Sequence, residues 1–396
     1  MVRLKCTILA ASLLLTPALH AEDAAVDLEA LQWETNLDDP PIGDPAKAVK
    51  GGTFRDYINA YPKTFRVLGP NSNEMWANWR NNFMQAVGLV GRHPQTDNFI
   101  PGLATHWAIQ PDNRTVFFRL RPEATWSDGK PITADDYTFA YQTMLDPGIL
   151  DPFVNQYIAD IIESVEKIDT HTIKVVAKQE SWRVLDDLSL SPLPAHAMKI
   201  ETGWEVATNY TVPVTQGPYT IGNFRDGEFV ELVRNPDWWG YQIHYYAGMY
   251  NPDRIVVRVI LDEDRILDFF QRGELDYYSA RIARVWATQL DLPIFRDGYA
   301  SRKQLYVQTP DGMSGLGMNL QFPLFQNKDF RKALQYMFDF DKLNSQLMFN
   351  SYFRKVSAFT GTEYENTNLK SYGFDPRKAR RHLQAAGFIQ RGRDGI

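Results

Sequence analysis

Cysteine is almost absent from this chain: of 396 residues only Cys6 carries a thiol. One cysteine can build neither a disulfide framework nor a multi-cysteine zinc site. Histidine is sparse too, and His93, His106, His171, His196, His244 and His382 never fall at the i, i+3 or i+4 spacings that place two imidazoles on one helix face. No metal site and no cofactor are expected. A glycine-rich phosphate loop ending in Lys-Ser or Lys-Thr is missing. The nearest approach to a nucleophile elbow, Gly312-Met313-Ser314-Gly315-Leu316, lacks the final glycine, and Leu316 would crowd the sharp turn that exposes a serine. The acid pairs Asp135-Asp136 and Asp186-Asp187 are adjacent, so their side chains diverge, and they read as caps and solvated faces. Nothing in this inventory points to an enzyme.

Long apolar runs are missing except at the N-terminus. There Arg3 and Lys5 precede an apolar stretch from Ile8 to Leu15, followed by Ala18-Leu19-His20-Ala21 and the acidic Glu22-Asp23. That order predicts a secretory signal peptide, residues 1–21, cleaved after Ala21 and too short for a membrane span. Cys6 lies before the apolar run, whereas a lipoprotein cysteine would follow it. A mature chain without cysteine or lipid anchor, soluble in a Gram-negative periplasm, is therefore expected. An excess of basic residues is missing as well. The formal charge is −6 and falls to −8 without Arg3 and Lys5, which argues against nucleic acid or an anionic membrane as partner.

What is present is a mixture of strand and helix patterns. Strands are predicted at Gly52–Tyr57, Val116–Leu120, Ile168–Ala177, Phe229–Arg234 and Arg254–Ile260, each with apolar residues at a period of two or in a short run. Helices are predicted at Glu74–Val87, from the Thr133 N-cap through Met144, and at Asp264–Arg272, Asp329–Phe338 and Pro376–Ala386. Ser127-Asp128-Gly129 supplies a tight turn between them. The sum is an α/β chain without internal repeats, and aromatic residues, 13% of the total with 10 Trp, suit both a core and a cleft.

Several motifs recur in a fixed order: Trp126-Ser127-Asp128-Gly129-Lys130-Pro131-Ile132-Thr133-Ala134-Asp135-Asp136, Gly217-Pro218-Tyr219, Arg234-Asn235-Pro236-Asp237-Trp238-Trp239, Gly273-Glu274-Leu275-Asp276, Asp329-Phe330-Arg331-Lys332-Ala333-Leu334 and Phe374-Asp375-Pro376-Arg377-Lys378-Ala379. Their order and spacing resemble the peptide-binding group of extracellular solute-binding proteins, family 5, which serve ABC importers. Lys50-Gly51-Gly52, Leu261-Asp262-Glu263-Asp264 and Phe338-Asp339-Phe340-Asp341 resemble its Yej-type subgroup.

The resemblance implies a two-lobed periplasmic-binding-protein-like fold with an extra domain. Residues 22–87 and 196–300 would form lobe I, 88–195 the inserted domain, and 301–396 lobe II, entered by a crossing strand at Lys303–Gln308. Family members continue past the point matching Ile396, so lobe II is expected to be incomplete. The implied partners are a peptide or peptide-like ligand and an inner-membrane ABC permease with its ATPase subunits. Carry-over nominates the turn Leu68-Gly69-Pro70-Asn71, Phe153 after Asp151-Pro152, and Met318-Asn319, where some relatives carry a glutamate in place of Met318. A peptide receptor needs extended main chain to pair with its ligand, and roomy side-chain pockets keep selectivity low. The acid that many relatives use for the ligand's amino group would lie beyond Ile396. Weak binding of free peptides and exposed apolar helix faces are therefore expected. Other small ligands, such as a metal chelate, a sugar or a cell-wall peptide, stay open, as does a degenerate copy without transport activity.

Overall fold

The computed structural model describes residues 26–306 and 313–389. The expected leader, with Cys6, lies outside the described residues. The chain divides into two compact units between Tyr277 and Tyr278.

Among the described residues the first unit holds ten strands: β1 (Thr53–Ile58), β2 (Val90–Arg92), β3 (Phe99–Pro101), β4 (Ala104–Ile109), β5 (Thr115–Leu120), β6 (Ile162–Asp169), β7 (Thr172–Ala177), β8 (Tyr219–Arg225), β9 (Phe229–Arg234) and β10 (Arg254–Val259). One antiparallel sheet runs β4-β5-β7-β6. On it the helices Ala134–Leu145 and Pro152–Ile161 bury Tyr137, Ala140, Met144 and Ile158 in one cluster with Phe118, Val165, Ile173 and Val175. The expected single strand at Ile168–Ala177 is corrected. Its alternation runs through the end of β6, a turn at Thr170-His171 and then β7, because a period of two continues across a tight hairpin.

The Trp126–Asp136 motif shows why its residue types recur. Trp126 N–H donates to Lys130 O at 2.8 Å, and Gly129 closes the turn at φ +84°. Asp136, 5% exposed, accepts from Thr133 N–H (2.9 Å), Trp126 Nε1 (3.3 Å) and Ala195 N–H (3.2 Å). One carboxylate thus completes the Thr133 capping box and ties hairpin, helix and a distant segment together. Asp135, the other acid of the pair, meets Lys167 at 2.7 Å on the surface.

The second sheet runs β1-β10-β9-β8, with β1 parallel to β10 and the rest antiparallel. It joins residues 53–58 to residues 219–259, so the chain leaves the sheet after β1 and returns much later. Its core is Ile58, Phe65, Trp76, Met84, Tyr219, Ile221, Val230, Leu232, Ile255 and Val257. The expected Glu74–Val87 helix is shorter and irregular. An α-turn at Trp76–Trp79 widens into a π-helical stretch at Arg80–Gln85, closed by Ala86 N–H to Asn81 O at 2.8 Å. Gly217 packs against this stretch. A Cβ there would sit 2.4 Å from the Met84 backbone, and Gly217 N–H donates to Met84 O at 2.7 Å. The expected Asp264–Arg272 helix begins as a 3-10 turn, Glu263–Arg265, and continues as α-helix over Ile266–Gln271.

In the second unit the helices Lys328–Met337 and Pro376–Ala385 cross at Ala333 and Ala379, both buried. Small residues at the crossing let the two backbones approach closely. Tyr336 stacks on His382 (5.6 Å, 8°), and His382 Nδ1 meets Asp329 Oδ1 at 2.8 Å. Asn327 and Asp375 cap the two helices through side-chain oxygens, and Pro376 occupies the first turn. Met337, Phe338 and Phe388 stay exposed. The crossing strand expected at Lys303–Gln308 is not formed over 303–306, where no strand among the described residues supplies a ladder; 307 and 308 lie outside the described residues.

Candidate functional site

The loop from Arg66 to Asn73 is held by two buried charged side chains. Asp151, 4% exposed, grips it: Gly69 N–H and Ser72 Oγ donate to Asp151 Oδ2 at 3.1 and 3.0 Å, and Asn73 Nδ2 donates to Oδ1 at 3.1 Å. Arg80, 3% exposed, holds the loop's carbonyls by donating to Arg66 O (2.9 Å) and Ser72 O (2.8 Å). Burial pulls the Arg80 guanidinium down to about 10, and the Asp151 charge opposes that fall. Arg66 reaches back to Pro70 O (2.6 Å), Asn209 Oδ1 (3.1 Å) and Glu205 O, its charge likewise disfavoured by burial. Its guanidinium also lies over the Trp204 ring.

This clamp leaves a short main-chain tip. Gly69 sits at φ +89° with its α-carbon against Trp204, so a Cβ would come within 3.2 Å of the indole. Asn71, also left-handed at φ +66°, is exposed. Leu68, by contrast, places its side chain in the core at 2% exposure and can offer a ligand only its backbone. Phe153 is 76% exposed on the first turn of the helix that Asp151 caps, so it is not a core residue. Asp151 therefore brings Phe153 and the Leu68–Asn71 turn to one neighbourhood. In the second unit, Met318 is half-buried and Asn319 exposed. Asn319 shapes a turn, its Oδ1 accepting from Gln321 N–H (2.9 Å) and its O from Phe322 N–H (3.1 Å).

Sequence reasoning missed Asp151, Arg80 and Arg66. For Asp151 the signal was present, since Asp-Pro before an apolar helix is an N-cap followed by proline at the first position. For the two arginines there was none, because nothing local marks a cation for burial. Asp56 was missed as well. It lies on β1 between Phe54 and Ile58, on the face that carries Ile255 and Val257 of β10. Burial there, with the Asp276 charge adding, pushes its carboxyl up to about 6, against the pull of the Tyr57 N–H. A carboxyl poised near neutrality in an apolar setting marks a functional candidate. Among the described residues, no group of three acidic, histidine or cysteine side chains could hold a metal ion, and no helix is long and apolar enough to cross a membrane.

The sequence profile of the bacterial extracellular solute-binding proteins, family 5 (middle), matches residues 98–396. A probable peptide-binding protein, YejA, of Agrobacterium fabrum is 28% identical over 381 residues, covering 91% of this chain and 60% of that protein. This agrees with the Yej-type resemblance. Among solved structures, the oligopeptide-binding protein AppA of Bacillus subtilis, in complex with a nonapeptide, superposes with a TM-score of 0.68 at 20% identity, covering 88% of this chain and 67% of its own. NikA of Brucella suis, in complex with Fe(III)-EDTA, gives 0.64 at 21% identity, covering 86% and 65%. At these identities the structures establish a shared α/β fold. The chain spans 42–62% of the length of the curated relatives it matches. Over three quarters of its length the profile match is direct, and the chain belongs to the bacterial extracellular solute-binding proteins, family 5, a family of binding proteins rather than enzymes.

Proposed function

We propose that this chain is the substrate-binding component of an ABC importer, exported to the periplasm by its N-terminal leader, which captures oligopeptides or peptide-like compounds for an inner-membrane permease. The observation that carries this reading is the held turn at Leu68–Asn71, which presents the exposed Asn71 near the exposed Phe153. A binding surface loses least on association when it is held still beforehand. Buried Asp151 and Arg80 do the holding. Phe153 adds an exposed aromatic surface near the turn, and Met318 and Asn319, in the second unit, are proposed as ligand contacts by likeness to the family. In this reading residues 22–87 and 196–300 form lobe I, 88–195 the inserted domain and 301–396 part of lobe II. Closure of the lobes on ligand would present the form that docks on the permease.

The test is native mass spectrometry of protein purified from periplasm, followed by hydrogen exchange with the captured compound present. Peptide adducts, with slowed exchange at Leu68–Asn71 and Met318–Asn319, are expected. Bound compound without protection at either segment would refute the site. A metal chelate is the second reading, favoured by the fold shared with Fe(III)-EDTA-bound NikA; a chelate adduct in the same spectra would select it.

A further inference from the structure

In the first unit every arginine among the described residues directs its guanidinium at a carboxylate, a carbonyl or an aromatic ring, as Arg92 does at Asp186 (2.8 Å), Arg80 at Arg66 O (2.9 Å) and Arg119 at Trp33 (4.4 Å). In the second unit Arg296, Arg302, Arg331 and Arg354 are engaged likewise. Arg377, Arg380 and Arg381 depart from this pattern. All three are exposed, and among the described residues their guanidinium groups make no ion pair, hydrogen bond or ring contact. They lie on the helix Pro376–Ala385. At about 3.6 residues per turn they form one stripe with the exposed Gln384, on the side away from Ala379, the buried residue of the crossing, and from half-buried His382 and Leu383. The stripe weakens its own helix. Arg377 stands three and four positions before two like charges, and it puts a cation in the first turn, where the helix dipole favours an anion. The two acids of the helix pair are already occupied. Asp375 accepts from Arg377 N–H (3.0 Å) and Lys378 N–H (2.9 Å), and Asp329 meets His382 at 2.8 Å.

We propose that the stripe Arg377-Arg380-Arg381 is a docking surface for an acidic helix of a partner protein, one that presents carboxylates a turn apart. The inference stands apart from the ligand site and adds a partner surface to the second unit. Charge complementarity selects the occupant. Three guanidinium forks at helical spacing match carboxylates at the same spacing, each fork donating two parallel N–H bonds to one carboxylate. Such a partner also removes the repulsion among the three arginines, which no acid of the helix pair does. An anionic bilayer fits less well. The stripe carries no apolar side chain to enter the acyl region, and the chain's formal charge of −6 repels an anionic surface. Exposed ion pairs are individually weak and screened by salt, so docking should be weak and sensitive to ionic strength.

The experiment is fluorescence anisotropy of a labelled, N-acetylated and C-amidated alanine-based peptide, about 20 residues long so that it can be helical, with glutamate at i, i+3, i+4 and i+7. It is titrated with the whole chain at an ionic strength of about 0.02 M. A Kd on the order of 0.1 mM is expected, with a peptide carrying glutamine at the same positions at least about ten-fold weaker. Raising the ionic strength to about 0.2 M should weaken the glutamate peptide about five-fold or more. The triple variant Arg377→Glu, Arg380→Glu, Arg381→Glu should abolish binding. Arg377→Gln, Arg380→Gln, Arg381→Gln should lose about ten-fold while its thermal midpoint holds or rises, because like charges have left one helix face. Binding that survives charge reversal, as capture in the ligand site would, overturns the proposal, and so does equal binding of the glutamine peptide or none by about 1 mM chain. A lower midpoint for the glutamine variant also overturns it, since the arginines would then be holding the fold. So does binding to phosphatidylglycerol vesicles that charge reversal removes, which would assign the stripe to a lipid surface.

Discussion

Replacing Asp151 by alanine should loosen the surface on which the proposed site depends. Its carboxylate, 4% exposed, accepts from Gly69 N–H, Ser72 Oγ and Asn73 Nδ2 at 3.0–3.1 Å, and it caps the helix beginning at Pro152. It is also the charge that offsets the burial of Arg80. Its loss leaves Gly69 N–H, Ser72 Oγ and Asn73 Nδ2 without their acceptor, at about 1–3 kcal/mol for each group that stays buried and unsatisfied. A lost N-cap alone costs about 1 kcal/mol, and these terms overlap, so the whole effect should stay near about 3–5 kcal/mol. Urea unfolding followed by tryptophan fluorescence measures the loss, and hydrogen exchange locates it in residues 66–73. Asp151→Asn, which keeps an acceptor and gives up the charge, should fall between wild type and Asp151→Ala. In the background of Asp151→Ala, Arg80→Met should cost less than it does alone, giving a coupling of about 1–3 kcal/mol. A loss below about 1 kcal/mol for Asp151→Ala, with exchange in the loop unchanged, would refute the clamp.

Asp56 has its folded carboxyl raised to about 6 from the ordinary 3.8, so folding disfavours its charged form. Stability from this group is full below about pH 4 and declines as pH rises to about 6, by about 1–2 kcal/mol after allowance for partial exposure. Asp56→Asn should therefore gain that amount at pH 7 and flatten the urea midpoint between pH 4 and 6; an equal gap between variant and wild type at pH 4 and pH 7 would count against it. Gly69→Ala must hold a Cβ at φ +89° and 3.2 Å from Trp204, which should cost about 1–2 kcal/mol in the same unfolding assay. In the second unit, Ala379→Leu overfills the crossing with Ala333 and should cost about 1–3 kcal/mol. Faster exchange confined to Lys328–Met337 and Pro376–Ala385, with β4–β7 unchanged, is the expected signature.

The sequence by itself determined the local elements and the ancestry. Alternation in Phe229–Arg234 and Arg254–Val259 is a direct consequence of strand geometry, and the Thr133–Asp136 box, Asp375-Pro376 and Ser127-Asp128-Gly129 carry their caps and turns within a few residues. Such signals are short-range, which is why they were legible. Boundaries failed where a pattern carried through a turn, as at Ile168–Ala177, or where packing widened a helix, as at Arg80–Gln85.

Tertiary structure alone decided which charges are buried and what they hold. Arg66, Arg80 and Asp56 look like any surface residue in the sequence, and only the packing of Trp204, the π-helical turn and the β1–β10 pair gives each its environment. The turn Leu68–Asn71 was nominated by family likeness, but its rigidity comes from a carboxylate 82 positions away from Gly69. That separation is the physical reason. The free energy of a buried charge depends on neighbours brought together by the fold, and local sequence carries no record of them.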